Sequence, residues 1–316
     1  MKTIFTALAT TALAMPALAD TAPNILLIIA DDMGVDASRC YALGDQQAPM
    51  PNIESLCASG MVFENFYSAP TCSPTRATII SGQYGFRTGV GAAIVKKGSS
   101  ELSPDVTSIF DVLAATEYSS NLIGKWHLAS PGTGFDHPAQ LGVSDYFGLF
   151  IGALPDYSHW TAISDEKPIQ IDEYATTEFT NRAIDWIGVQ ENPWFLWLAY
   201  TAPHTPFHLP PADLHSFDDL PDTEAAIAAN PLAYYNAMLE ALDTEIGRLL
   251  DSMPQAERDN TIIMFIGDNG SPNQVTRGFY GAHGAKSTIY EGGTHVPLVV
   301  SGPGVASGRT EGFATT

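Results

Sequence analysis

The chain has 316 residues, of which 45% are hydrophobic and 16% are charged. This composition excludes a disordered or collagen-like chain, and the length is sufficient for one large domain or two smaller ones. The formal net charge of −21 argues against nucleic acid or an anionic membrane as a partner. An anionic ligand would therefore have to be attracted locally, by a few basic residues in a pocket.

The first 19 residues have the pattern of a secretory signal peptide. Lys2 supplies the basic start, residues 4–15 form an apolar stretch, and Ala17-Leu18-Ala19 is a small-residue cleavage site before Asp20. The apolar stretch is too short to remain as a membrane-spanning helix, and no later run is long enough either. The pattern predicts an exported protein, periplasmic or secreted, without a stable membrane anchor.

The three cysteines are an odd number for an exported chain. Cys40 and Cys57 could form a disulfide and leave Cys72 alone, but equally all three could be free thiols. An unpaired thiol in an oxidising compartment is a liability unless it has a function or is chemically converted.

Along the chain, short apolar runs alternate with segments of helical spacing. Strands are predicted at residues 24–30, 121–124, 194–200, 261–266 and 295–300, and helices at 108–116, 173–189 and 231–253. The alternation predicts an α/β fold with a doubly wound, mostly parallel sheet flanked by helices. Ligands of such folds bind beyond the carboxyl ends of the strands.

Acidic residues follow two of the predicted strands. Asp31 and Asp32 come directly after the first strand, and Asp268 and Asn269 follow the strand at 261–266. Their side-chain oxygens form a hard donor set that suits Ca²⁺ or Mg²⁺ rather than zinc. The alternative is that the aspartates only cap the helices that follow, but two such pairs at two strand ends favour a cation site.

Basic and titratable residues follow other strands. Lys125 and His127 come after the strand at 121–124, and in an extended backbone they would point the same way. His204 begins a proline-rich loop at 203–221 that we expect to be functional, and Lys286 is preceded by Gly284. Lys125, His127 and Lys286 are each better explained alone as packed or solvated residues, and for His204 alone the two interpretations are balanced. Together they suit an anion whose leaving group must be protonated.

The segment Cys72-Ser73-Pro74-Thr75-Arg76 carries the remaining signal. A cysteine at a helix start lies where the helix dipole favours negative charge, and Arg76 would lie on the same face one turn later. By itself the segment is better explained as a half-buried structural cysteine.

Taken together, these segments resemble the type I sulfatases of the alkaline phosphatase superfamily. Cys72 to Arg76 matches the signature C-x-P-x-R, and residues 24–34 resemble the opening strand and metal pair. The other matching segments are Gly-Lys-Trp-His at 124–127, Pro-His-Thr-Pro at 203–206, Gly-Asp-Asn-Gly at 267–270, Gly-Ala-Lys at 284–286 and Tyr-Glu-Gly-Gly at 290–293. The resemblance covers the chain from Asn24 to about Gly304.

The resemblance implies a role for each of these residues. Cys72 would be oxidised by a formylglycine-generating enzyme, and its hydrated aldehyde would attack the sulfur of a small-molecule or carbohydrate sulfate ester. Ca²⁺, rather than Mg²⁺, would be held by Asp31, Asp32, Asp268, Asn269 and the modified Cys72. The remaining implied roles are oxygen binding by Arg76 and Lys125, sulfate binding and leaving-group protonation by His204 and Lys286, and proton transfer by His127.

The resemblance also implies that residues 20–316 form the catalytic domain, truncated at its C-terminus. Related chains continue with a further strand, a helix and a small antiparallel subdomain, and these are missing after Thr316. Two other functions stay open. One is a phosphonate monoester or phosphodiester hydrolase of the same superfamily, and the other is a non-catalytic, truncated sulfatase-like chain that binds anions.

Overall fold

A computed structural model of the chain describes residues 22–44, 46–95, 98–276 and 278–316. The predicted signal peptide lies outside the described residues. The strands are β1 Asn24–Ala30, β2 Met61–Tyr67, β3 Ser119–Gly124, β4 Phe147–Gly148, β5 Trp160–Ser164, β6 Lys167–Ile171, β7 Trp194–Ala199, β8 Thr261–Gly267, β9 Leu298–Ser301 and β10 Gly308–Thr315. They form one sheet in the order β10-β2-β9-β8-β1-β7-β3-β4-β5-β6.

Helices cover both faces of this sheet. They are α1 Pro51–Ser59, α2 Cys72–Ser81, α3 Gly85–Thr88, α4 Ile109–Ala114, α5 His137–Gln140, α6 Ala175–Ile187, α7 Glu224–Ala229, α8 Pro231–Ser252, α9 Gln255–Asp259 and α10 Glu291–Thr294. No helix of the described part is both long and apolar enough to cross a bilayer.

The centre of the sheet explains why β1 is apolar without interruption. β1 lies between β7 and β8 and pairs with both in parallel. Leu26 and Ile28 belong to a core cluster with α1, α6 and α8, whereas Leu27 and Ile29 belong to a second cluster with α2 and α4. A strand buried on both faces cannot alternate apolar and polar residues, and the predicted doubly wound α/β fold is confirmed.

The outer strands differ from the prediction. The strand predicted at 295–300 starts only at Leu298, and it runs antiparallel to both β8 and β2. The prediction missed β2, the strands β4 to β6, and β10. β2 contains Glu64 and Asn65, and most of its residues are only partly buried. β10 is a largely exposed edge strand, so neither has the continuous apolar run that identified the central strands.

A disulfide joins Cys40, which lies between β1 and α1, to Cys57 in α1. Of the two cysteine arrangements that the sequence left open, the structure has the paired one, and Cys72 is the free cysteine.

Candidate active site

The carboxyl ends of β1 and β8 place four polar residues together. The last residues of the two strands are in register, so Asp31-Asp32 and Asp268-Asn269 leave the sheet at the same height. All four side chains are buried. The Asp32 backbone N–H donates to Asp268 Oδ1 at 3.1 Å, and Asn269 Nδ2 donates to Asp32 Oδ1 at 2.8 Å.

Helix α2 brings Cys72 to these carboxylates. Its first residue is Cys72, and the Sγ lies 3.3 Å from Asp31 Oδ1 and 3.9 Å from Asp32 Oδ1. Pro74 is the third residue of the helix. It fits there, because the first four backbone N–H groups of a helix have no partner within it.

Arg76 lies one turn after Cys72 on the same face, as predicted, and is completely buried. Its Nε and Nη2 donate to Asp268 Oδ2 at 3.0 and 2.8 Å, and its Nη1 donates to the carbonyl oxygen of Lys125 at 2.7 Å. Lys125, also fully buried, forms an ion pair with Asp31. The two cations therefore neutralise carboxylates on adjacent strand ends.

Lys125 and His127 do not lie in the extended backbone that was predicted for them. β3 ends at Gly124, and His127 has a φ of 56°, so the segment is not extended. Lys125 reaches the buried carboxylates, whereas the His127 Nε2 lies 3.0 Å from the carbonyl oxygen of Ile94. His127 Nδ1 is buried and has no hydrogen-bond partner within the described part of the chain.

Two further predicted residues, Lys286 and His204, lie close to the carboxylate of Asp32. Lys286 Nζ lies 2.6 Å from Asp32 Oδ2, and His204 Nε2 lies 3.7 Å from the same oxygen. Both are less buried than the residues beneath them, with 20% and 14% of their side chains exposed. The predicted basic residues other than His127 thus lie close to the carboxylates, and His127 lines the same pocket as Cys72, His204 and Lys286.

A close backbone approach positions Lys286. The Gly270 N–H donates to the carbonyl oxygen of Gly293 at 3.0 Å, and the Lys286 N–H donates to that of Ser271 at 3.1 Å. A Cβ at Gly270 would lie 1.8 Å from the carbonyl oxygen of Gly292. Only glycine permits this contact, which links the segment after β8 to the segment that carries Lys286.

The residues present fit a hard divalent cation. Ligand atoms of Asp31, Asp32, Cys72 and His204 lie within 4.8 Å of one another. This group includes His204, which the sequence predicted as a sulfate ligand. Beside it, Asn269 Oδ1 is buried without a hydrogen-bond partner among the described residues. Buried polar atoms are normally paired, and oxygen donors of this kind suit Ca²⁺ or Mg²⁺.

The electrostatics of the site have clear physical causes. Burial raises the pKa of the Cys72 thiol well above its usual value, and the Asp268 and Asp31 carboxylates raise it further. For Asp31, burial is the largest single effect and acts in the same direction, but Lys125, His204 and Arg76 together outweigh it and lower the pKa. Burial and Lys125 together lower the pKa of His127. At neutral pH Cys72 is therefore a thiol and His127 a neutral imidazole.

A pocket of about 400 Å³ opens above these groups. Cys72, His127, His204 and Lys286 line it, whereas Arg76, Lys125 and the aspartates lie beneath. The described residues that line the pocket include no carboxylate. The pocket therefore presents positive and neutral groups to a ligand.

One supporting residue was not predicted. Tyr235, in α8, donates its hydroxyl to the carbonyl oxygen of Asp32 at 2.9 Å. Ser271 lies 3.2 Å from the same hydroxyl and accepts from the Gly34 N–H. A tyrosine on an apolar helix face carries no pattern that distinguishes it from an ordinary core residue.

Comparison with known proteins gives a family match across almost the whole described chain. A family model described as Sulfatase matches residues 23–316. The chain is 26% identical over 339 residues to arylsulfatase G of Rattus norvegicus, covering 89% of this chain and 60% of that protein. It is 28% identical over 316 residues to N-acetylgalactosamine-6-sulfatase of Sus scrofa, covering 89% and 57%.

Among solved structures, the fold is similar to that of Ps i-CgsB in complex with k-i-k-neocarrahexaose. The TM-score is 0.79 at 26% identity, and the match covers 93% of this chain and 69% of that one. The chain spans about three fifths of the length of the two curated relatives.

Proposed function

Because the chain belongs to the sulfatase family of the alkaline phosphatase superfamily, we propose that it hydrolyses a sulfate monoester with a formylglycine made from Cys72. The observation that carries the proposal is the position of Cys72. Its Sγ lies 3.3 Å from Asp31 Oδ1, at the floor of a pocket that Lys286 and His204 also line.

This position suits an oxygen nucleophile better than a thiolate. A thiolate at Cys72 would be buried beside the carboxylates of Asp31 and Asp32, where its negative charge is unfavourable. Hydrated formylglycine is a geminal diol, in which one hydroxyl attacks sulfur and displaces the alcohol. The other hydroxyl then loses a proton, so that the aldehyde re-forms as the C–O bond to sulfate breaks and sulfate leaves. The position thus supports the conversion that the sequence signature implies.

The basic residues divide into two layers. Lys286 and His204 are partly exposed toward the pocket, and we assign them to the sulfate oxygens and to the leaving oxygen. Arg76 and Lys125 are buried beneath, where they fix Asp268 and Asp31 and add positive charge near the nucleophile. Preorganised charge of this kind is typically the largest contribution to catalysis of such reactions.

Asp31, Asp32, Asp268 and Asn269, with the modified Cys72, would hold the cation, which we propose is Ca²⁺. A bound divalent ion supplies positive charge that favours a deprotonated oxygen nucleophile. The oxygen donors and the unpartnered Asn269 Oδ1 support this assignment.

His127 is suited to accept a proton. Its Nε2 lies 3.0 Å from the Ile94 carbonyl oxygen, which can only accept, so the hydrogen must be on Nε2 and the lone pair on Nδ1. A neutral imidazole with a free Nδ1 can take the proton that the diol loses.

We also propose that the chain is exported, to the periplasm or the medium, and that it meets a formylglycine-generating enzyme during maturation. The predicted signal peptide at 1–19 and the Cys40–Cys57 disulfide support export, because disulfides persist in oxidising compartments.

The proposal is tested on the full chain coexpressed with a formylglycine-generating enzyme. Mass spectrometry should find the Cys72 peptide about 18 Da lighter, the difference between a thiol and an aldehyde side chain. With Ca²⁺, the protein should release sulfate from 4-nitrophenyl sulfate, and Cys72→Ala should lower kcat by about 10³-fold or more.

Two results would contradict this proposal. Active protein with an unmodified Cys72 thiol would exclude the formylglycine mechanism. Faster turnover of an aryl phosphonate monoester than of the aryl sulfate would favour the phosphonate hydrolase alternative.

A further inference from the structure

We propose that the pocket above Cys72 binds the alcohol part of the substrate as an apolar ring, so that the natural ester is an aryl or alicyclic sulfate rather than a sulfated sugar. The inference rests on the proposed function, because it concerns the leaving group of that same reaction. The relatives reported above include an arylsulfatase and an N-acetylgalactosamine-6-sulfatase, so the family by itself leaves the alcohol open.

The lining of the pocket carries the argument. Apart from the charged and titratable groups around Cys72, the described lining is dominated by apolar side chains, among them Ile94, Val95, Pro131, Ile151 and Ala153. They come from two separate segments after α3 and β4 and from the loop after His127, so the apolar surface is assembled from several parts of the chain.

Two of these side chains are unusually exposed for their type. Val95 is 79% exposed and Ile151 is 41% exposed, although both line a concave site. Exposed apolar side chains in a pocket lose contact with water when an apolar ligand binds, and this favours binding. Exposed apolar side chains on a convex surface are common and do not by themselves indicate a binding site.

The polar groups of the pocket are poorly placed to receive sugar hydroxyls. His127 Nε2 donates a hydrogen bond to the Ile94 carbonyl oxygen, and the Ser130 hydroxyl is buried. Thr71 and Ser287 line the pocket beside Cys72 and Lys286, where the sulfate would lie. Among the described residues, a sugar ring over Val95 and Ile151 would therefore find few polar side chains for its hydroxyls, which opposes binding.

The size of the pocket limits the size of the alcohol. A volume of about 400 Å³ is near the lower end for small-molecule sites, so it suits a sulfate with one or two rings. Lys286 and His204 supply the attraction for the sulfate itself.

The test compares two esters of primary alcohols with similar leaving-group basicity, cyclohexylmethyl sulfate and galactose 6-sulfate. On the matured full chain with Ca²⁺, we expect kcat/KM to be at least about tenfold higher for cyclohexylmethyl sulfate. Val95→Ser and Ile151→Ser should each raise KM for that ester by about tenfold, with kcat little changed, because they remove binding that is uniform along the reaction.

Val189→Ser is the matched control. Val189 is 74% exposed, close to Val95, but it does not line the pocket, so its KM should stay within about twofold of the wild type. Equal or faster turnover of galactose 6-sulfate would overturn the inference, as would a Val95→Ser variant that behaves like the control.

Failure of the proposed function has a different outcome, namely no sulfate release from either ester or from 4-nitrophenyl sulfate. Calorimetric titration of the two esters into Cys72→Ala still measures the preference in that case. Tighter binding of galactose 6-sulfate there would reject the apolar pocket independently of turnover.

Discussion

At the scale of single residues, the site depends on how closely the backbone approaches His127. A Cβ placed on Gly152 would lie 2.6 Å from His127 Nε2 and 2.7 Å from its Cε1. The imidazole is therefore held between Gly152 and the Ile94 carbonyl oxygen. The close approach of Gly152 limits the position of the ring. The hydrogen bond to the Ile94 carbonyl oxygen determines which nitrogen carries the hydrogen.

Gly152→Ala should displace the His127 ring and weaken its bond to the Ile94 carbonyl oxygen. We expect kcat for 4-nitrophenyl sulfate to fall by about 10- to 100-fold, the range typical of a displaced acid–base group. Conversion of Cys72, measured by mass spectrometry, should be unchanged.

Gly91→Ala is the control for that change, because a Cβ at Gly91 meets no atom within 4 Å. Equal activity of the two alanine variants would show that the position of His127 does not matter for turnover.

At the scale of elements, α8 holds the start of α1. The N-cap residue of α1 makes no side-chain capping bond. Instead Asp243 of α8 accepts from the backbone N–H groups of Asn52 and Ile53, at 3.0 and 2.8 Å, and from Asn52 Nδ2 at 2.9 Å. A buried carboxylate from another helix thus replaces the local cap that usually satisfies these donors.

Asp243→Ala should leave these buried donors without an acceptor. We expect the free energy of unfolding, measured by urea denaturation, to fall by about 2–3 kcal/mol. Asp251→Ala on the same helix is the control. Its side chain is 83% exposed and pairs with Arg258, so the loss there should stay below about 1 kcal/mol. If Asp243→Ala loses no more than Asp251→Ala, Asp243 does not cap α1.

At the scale of the whole molecule, the proposed cation would join parts of the chain that are far apart in sequence. Asp31 follows β1, Cys72 starts α2, and Asp268 follows β8. The net charge of −21 disfavours bringing more carboxylates together unless cations neutralise them. Three basic residues already pair with carboxylates of the site: Arg76 with Asp268, Lys125 with Asp31, and Lys286 with Asp32.

Ca²⁺ should consequently stabilise the folded chain. At a free concentration about 100 times its Kd, a ligand adds about 2.7 kcal/mol, so the Tm in calorimetry should rise by roughly 5 °C. The rise should disappear in Asp32→Asn and persist in Asp213→Asn, which changes an exposed aspartate. A full rise in Asp32→Asn would argue against a cation at this site.

The sequence alone determined the central part of the fold. The run from Asn24 to Ala30 identified β1 because a strand buried on both faces has no room for polar residues. The polar residues placed after such strands also identified the site, since parallel strands end at one edge. β2 and β10 were missed because an outer strand tolerates Glu64, Asn65 or an exposed face, and its pattern then resembles a loop.

Only the tertiary structure decided what surrounds Cys72. The signature identified Cys72 and Arg76 from local spacing, but the bond from Tyr235 to Asp32, the fit of Gly152 against His127 and the apolar wall of Val95 and Ile151 depend on residues far apart in the chain. Such contacts leave no local pattern, because each residue type is ordinary in its own segment. The sequence therefore indicated which residue types meet at the site, and the packing of distant segments determined the shape of the pocket around them.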